Sequence, residues 1–113
     1  LSGFLERIGK ESVEDENYLT FSTTKWHIHL PISIETHKDK ASVKVLIVDD
    51  FVMSGDFLHT LKNKLIELGY LKSNIYACAV AVTKVAIDSK KGPDFYWKVV
   101  DDKDFDFPWG KAE

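Results

Sequence analysis

The sequence has little of what would tie it to an oxidising compartment, a membrane or a nucleic acid. It has one cysteine, Cys78, so no disulfide can form within the chain. Its apolar runs are far shorter than the roughly 20 residues of a membrane-spanning helix. A net charge of −3 gives no electrostatic reason to bind nucleic acid. We therefore expect a cytoplasmic protein with no membrane and no nucleic acid among its partners.

The composition that remains is ordinary for a globular protein. Of the 113 residues, 44% are hydrophobic and 29% are charged, which is enough for one modest core. No internal repeat or low-complexity linker divides the chain. The sequence therefore predicts a single domain over residues 1–113.

One segment stands out because an apolar stretch ends in two adjacent acids and a Ser-Gly turn. It reads Val45-Leu46-Ile47-Val48-Asp49-Asp50-Phe51-Val52-Met53-Ser54-Gly55-Asp56-Phe57. Four aliphatic residues without polar alternation predict a strand that is covered on both faces, as in a parallel sheet. After the turn, a helix closed by Gly69 is predicted by leucines spaced three, four and three apart, namely Leu58, Leu61, Leu65 and Leu68.

This strand, loop and helix predict a binding site. In open α/β sheets, ligands lie beyond the carboxyl ends of the strands. Backbone N–H groups that lead into a helix bind anions. Asp49 and Asp50 can accept hydrogen bonds from vicinal hydroxyls or hold a divalent cation through water. Together these features favour a sugar phosphate as the ligand.

The segment resembles the ribose-phosphate motif of type I phosphoribosyltransferases: four apolar residues, two acids, three variable residues, Thr or Ser, Gly, one variable residue, and Thr or Ser. The resemblance implies that Asp49 and Asp50 are the catalytic acids, contact the ribose hydroxyls of phosphoribosyl pyrophosphate and hold Mg²⁺ through water. It also implies that the 5′-phosphate is bound by the loop residues Met53, Ser54, Gly55, Asp56 and Phe57. Two positions depart from the motif, because Phe57 replaces a hydroxyl and Asp56 adds a negative charge.

The carboxyl-terminal sequence resembles the hood of the hypoxanthine, guanine and xanthine branch of that family. The matching residues are Pro93-Asp94-Phe95, Asp102-Lys103 and Phe107-Pro108-Trp109. The resemblance implies that Lys84, Phe105 and Trp109 bind a purine base. Asp104 stands where the stacking aromatic residue is expected, with Phe105 one place later, and Met53 replaces the loop acid that assists at the purine.

As a whole, the resemblance implies a type I phosphoribosyltransferase-like α/β fold, with a mainly parallel central sheet flanked by helices and a small hood over residues 93–113. It implies transfer of ribose 5-phosphate to a nucleobase with release of pyrophosphate, in a homodimer. Residues 30–42 would form a flexible loop over the reaction centre.

The amino-terminal residues fit this family less well. Residues 1–10 place Leu1, Leu5 and Ile8 on one side of a predicted helix, and residues 18–29 predict one or two strands. No pyrophosphate-binding loop is recognisable. We therefore expect the chain to begin just after that loop, as the carboxyl part of a longer polypeptide.

Two alternatives remain open. The departures at Met53, Phe57 and Asp104, with the missing loop, are also compatible with a catalytically degenerate binding or regulatory domain. The paired acids before a helix also resemble the first strand and helix of phosphorelay receiver domains, but that pattern explains neither the Ser54-Gly55 turn nor the 44 residues before Val45.

Overall fold

The computed structural model describes residues 4–7, 16–22, 26–101, 106–107 and 110–111. The chain divides into two structural units, Leu1–Lys40 and Ala41–Glu113. The prediction of a single domain over residues 1–113 stays a prediction.

The first unit is built on a three-stranded antiparallel sheet. Its strands are β1 (Phe4–Arg7), β2 (Tyr18–Ser22) and β3 (Trp26–Pro31), in the order β1-β3-β2. The strands predicted within residues 18–29 are therefore confirmed. The helix predicted over residues 1–10 is wrong at residues 4–7, because β1 pairs with β3 and Leu5 lies opposite the buried Ile28.

A short helix, α1 (Ser33–Thr36), and a 3-10 turn (Lys40–Ser42) follow β3. They occupy part of the segment for which the sequence predicts a flexible loop, residues 30–42. That the segment moves stays a prediction.

The second unit contains a parallel sheet. Its strands are β4 (Val45–Val52), β5 (Ile75–Thr83) and β6 (Phe95–Val100), in the order β4-β5-β6. Helix α2 (Asp56–Leu68) and a 3-10 turn (Lys72–Asn74) connect β4 to β5, and α3 (Lys84–Asp88) follows β5. A two-stranded antiparallel ribbon, β7 (Asp106–Phe107) and β8 (Gly110–Lys111), comes last. The predicted α/β architecture is confirmed.

Helix α2 forms where the leucine spacing predicts it, and three of the four leucines are buried while Leu68 is partly buried. Leu58, Leu61 and Leu65 are buried. Gly69 ends the helix in the left-handed region, with φ 117°, a conformation that favours glycine. The core around Leu58 consists of Val52, Ala77, Ala79, Val82 and Ala86. None of the helices in the described part of the chain is long and apolar enough to cross a membrane.

The sheet of the second unit has one open face. The expectation that Val45 to Val48 are covered on both faces is wrong, because burial alternates along β4 and Val48 is 74% exposed. Val48 lies opposite Cys78, and Cys78 lies opposite Phe95, so the three share a face. On β6, Trp97 is 78% exposed and Tyr96 is exposed as well.

Candidate functional site

The candidate site lies at the edge of the parallel sheet where the strands end. Strand β4 runs past the two acids to Val52, because its ladder with β5 continues through the pair Val52 and Val82. Asp49 and Asp50 therefore lie inside strand β4, near its carboxyl end, rather than after it. The predicted order of strand, loop and helix is otherwise as the sequence indicates.

The two acids are held by local hydrogen bonds. The N–H of Asp50 donates to Asp49 Oδ1, and the N–H of Phe51 donates to Asp50 Oδ1, both over 2.8 Å. Asp49 is half-buried and Asp50 is exposed. Burial, with the neighbouring Asp50 carboxyl group, raises the pKa of Asp49 from 3.8 to about 6. Two negative charges on these adjacent carboxyl groups repel each other, so the binding of a proton or a cation by the pair is favoured.

That chemistry fits a magnesium ion. Proteins commonly bind Mg²⁺ through one or two carboxylates, and water and ligand phosphates complete its coordination. Asp49 and Asp50 supply such a pair. Among the described residues there is no cluster of three or more metal-ligating side chains, so most of the coordination sphere would come from water and from a bound ligand.

Next to the acids, Met53, Ser54 and Gly55 form the bend that leads into α2. Gly55 has φ 83° and precedes the first helical residue. The first helical hydrogen bond runs from His59 N–H to Gly55 O over 2.9 Å, so the N–H groups of residues 56–58 lie outside the helical pattern. The Asp56 N–H donates to Ser54 Oγ over 3.2 Å. The bend thus joins a hydroxyl to the positive end of a 13-residue helix.

Residues at the end of β5 and after α3 also contact this bend. Thr83, at the end of β5, donates its hydroxyl hydrogen to Met53 O and accepts a hydrogen bond from Ala86 N–H over 3.2 Å. A Cβ atom added to Gly55 would lie only 2.3 Å from Lys91 O. The backbone of Lys91 therefore leaves no space for a side chain at position 55.

Asp56 and Lys91 form an ion pair at the start of α2. Lys91 Nζ lies 2.9 Å from Asp56 Oδ1, and this hydrogen bond holds the pKa of Asp56 below its ordinary value. Sequence reasoning missed both Thr83 and Lys91 as site residues. Thr83 ends an apolar run and Lys91 lies in a charged turn, and neither position carries a motif.

Lys84 lies at the same edge of the sheet, as the first residue of α3. Its Nζ is 2.9 Å from Asp101 Oδ1, and both side chains are exposed. This hydrogen bond raises the pKa of Lys84. The other two residues expected to bind a base, Phe105 and Trp109, lie outside the described residues. The role of Lys84 in base binding stays a prediction.

Comparison with known proteins identifies the fold. No protein-family model matches the sequence, and no curated protein matches it. The structure is similar to the crystal structure of a purine phosphoribosyltransferase from Pyrococcus horikoshii Ot3, with a TM-score of 0.56 and 22% sequence identity. The similarity covers 85% of this chain and 58% of that one. The chain therefore has a type I phosphoribosyltransferase-like fold and spans less than two thirds of that structure.

Proposed function

We propose that this protein is a phosphoribosyltransferase that transfers ribose 5-phosphate from phosphoribosyl pyrophosphate to a purine base and releases pyrophosphate. The observation that carries the proposal is the arrangement at the end of β4. Two adjacent acids precede a Ser-Gly bend that leads into the positive end of α2. The fold similarity to a purine phosphoribosyltransferase supports this class of reaction.

In this proposal the acids and the bend bind different parts of the donor. Asp49 and Asp50 accept hydrogen bonds from the ribose hydroxyls, and Asp50 is the more accessible of the two. The 5′-phosphate lies at residues 53–57, where Ser54 Oγ and helix N–H groups can donate to it. Phe57 supplies no hydroxyl, so the backbone carries more of the phosphate binding.

Magnesium is part of the proposal. Asp49 and Asp50 would hold Mg²⁺ through water, and the ion would neutralise the pyrophosphate leaving group. The transition state resembles a sugar cation, so positioning and charge stabilisation supply most of the acceleration.

The acceptor base is proposed to bind near Lys84, with Phe105 and Trp109. Met53 cannot exchange a proton with the base, so another group must accept the proton that leaves the acceptor nitrogen. We also propose that the protein acts in the cytoplasm as a homodimer.

Replacing Asp50 with Asn tests the assignment of the acids. Loss of a hydrogen bond to a charged group is expected to weaken donor binding or turnover by about tenfold or more. Binding is measured by calorimetry with phosphoribosyl pyrophosphate and Mg²⁺, and turnover by chromatography of nucleotides formed from hypoxanthine, guanine or xanthine. Glu67→Gln is the matched control, because it removes an exposed carboxylate near the other end of α2.

Unchanged turnover in Asp50→Asn would remove the acids from the site. Tight donor binding by the wild-type protein without nucleotide formation would instead support a binding or regulatory domain with the same fold. If the wild-type protein binds neither phosphoribosyl pyrophosphate nor ribose 5-phosphate, the proposed function is wrong.

A further inference from the structure

The start of α2 presents an electrostatic problem for a phosphate ligand. Asp56 is the first residue of the helix and is exposed beside the bend. Its carboxylate favours the helix dipole, but it also repels any anion at residues 53–57. A phosphate site at this position needs a compensating positive charge.

Lys91 supplies that charge from a distant part of the chain. Its ammonium group lies 2.9 Å from Asp56 Oδ1, which is the distance of a charge-assisted hydrogen bond. The pair is at the surface, so the attraction between the two groups adds little to folding stability. The effect of Lys91 on a nearby anion does not depend on that stability. With Lys91 beside it, the charge of −1 that Asp56 carries alone becomes a net charge of zero for the pair.

The position of Lys91 is set by its backbone. The Lys91 N–H donates to Ala86 O over 2.9 Å, at the end of α3. Its carbonyl oxygen and Cβ face Gly55 so closely that a side chain there would collide with them. The backbone of Lys91 is therefore held next to Gly55. Its side chain needs to reach only as far as Asp56, the residue after Gly55.

We propose that Lys91 is a positioning residue of the phosphate loop, which cancels the charge of Asp56 and holds its carboxylate away from the bound phosphate. This inference rests on the proposed function, because it concerns the same phosphate site. Lys91 contacts Asp56 rather than the ligand, so its contribution depends on the presence of the Asp56 carboxylate.

A double-mutant cycle tests this dependence. The dissociation constant for ribose 5-phosphate is measured by calorimetry at low ionic strength, where charge effects are least screened. Lys91→Met is expected to weaken binding by about tenfold or more, since the Asp56 charge is then uncompensated. Lys91→Met with Asp56→Asn is expected to recover binding to within about threefold of wild type, because no carboxylate remains to repel the phosphate.

Two further variants separate charge from structure. Lys91→Arg keeps the charge and is expected to retain most of the affinity. Lys62→Met is the matched control, because Lys62 pairs with Asp94 over 3.6 Å at the opposite end of β5. It should bind ribose 5-phosphate as wild type does. Thermal unfolding of each variant identifies any loss of folded protein.

Three results would count against the proposal in different ways. Wild-type affinity in Lys91→Met would overturn the inference. Equal weakness of Lys91→Met and the double variant would also overturn it, because Lys91 would then contact the phosphate directly or act only on folding. Failure of the wild-type protein to bind either ribose 5-phosphate or phosphoribosyl pyrophosphate would refute the proposed function itself, before any variant is compared.

Discussion

Gly55 is the residue on which the shape of the bend most depends. Its φ of 83° lies in the left-handed region, and a Cβ atom would lie 2.3 Å from Lys91 O. Gly55→Ala is therefore expected to lower the free energy of unfolding by at least about 1–2 kcal/mol from backbone conformation alone, and by more from the collision. Urea unfolding followed by circular dichroism measures the change.

Gly92→Ala is the matched control for that substitution. A Cβ atom at Gly92 would make ordinary contact with the Ile87 side chain at 3.6 Å. We expect Gly92→Ala to change stability much less than Gly55→Ala. Equal effects of the two substitutions would mean that the close approach of Lys91 does not constrain the bend.

Asp49 gives the protein a pH dependence of defined sign. Its pKa is about 6 in the folded protein, against about 3.9 in an unfolded chain. Between these values the folded state binds more protons, so stability falls as the pH rises from about 4 to about 6. The total loss is on the order of 3 kcal/mol.

Asp49→Asn should remove this loss. Urea unfolding of both proteins in metal-free buffer between pH 4 and 7 measures it, and the difference isolates Asp49 because the other titratable groups are common to both. Parallel stability curves across this range would contradict the assignment.

At the scale of elements, the sequence predicts best where a local pattern and a tertiary contact agree. The helix predicted by the leucine spacing and its stop at Gly69 are confirmed, because three of the leucines are buried and Leu58 lies in the core with residues of β4 and β5. The buried leucines Leu58, Leu61 and Leu65 are three and four residues apart, so the helical period is visible in the sequence itself.

The elements that sequence reasoning missed depend on distant partners. Residues 4–7 have a spacing compatible with a helix, but their backbone pairs with β3, and this pairing overrides a local preference. Strand β4 looks apolar enough for two covered faces, yet Leu46 and Val48 are exposed. Hydrophobicity alone does not reveal which face of a strand is covered.

The candidate site shows the same contrast between a local sequence motif and contacts from distant parts of the chain. Asp49, Asp50 and the bend are contiguous, so a single motif predicts them together. Thr83 and Lys91 reach the bend only because β5 lies beside β4 and α3 turns the chain back toward Gly55. No spacing in the sequence encodes that contact.

At the scale of the whole molecule, the open face of the parallel sheet has a measurable consequence. Val48, Phe95 and Trp97 are exposed apolar side chains on β4 and β6. Exposed hydrophobic surface binds anilinonaphthalene sulfonate. We expect the native protein to raise the fluorescence of anilinonaphthalene sulfonate, and Trp97→Lys to reduce that signal with little change in the unfolding midpoint.

Leu71→Lys is the control, because Leu71 is an exposed apolar residue in the turn before β5. It should leave most of the dye fluorescence intact. Equal losses in the two variants would show that the dye does not report on the sheet. A native protein that leaves the dye dark would contradict the accessibility of this face.

The close contact of the Lys91 backbone with Gly55 limits how the bend can be grafted into another protein. Grafting residues 45–57 into another α/β scaffold would carry the acids and the serine, but not the backbone that restricts the glycine. The recipient would need its own chain segment at the same place, with a cation directed at the first helical residue. Two separate stretches of sequence must therefore change together whenever the site is redesigned.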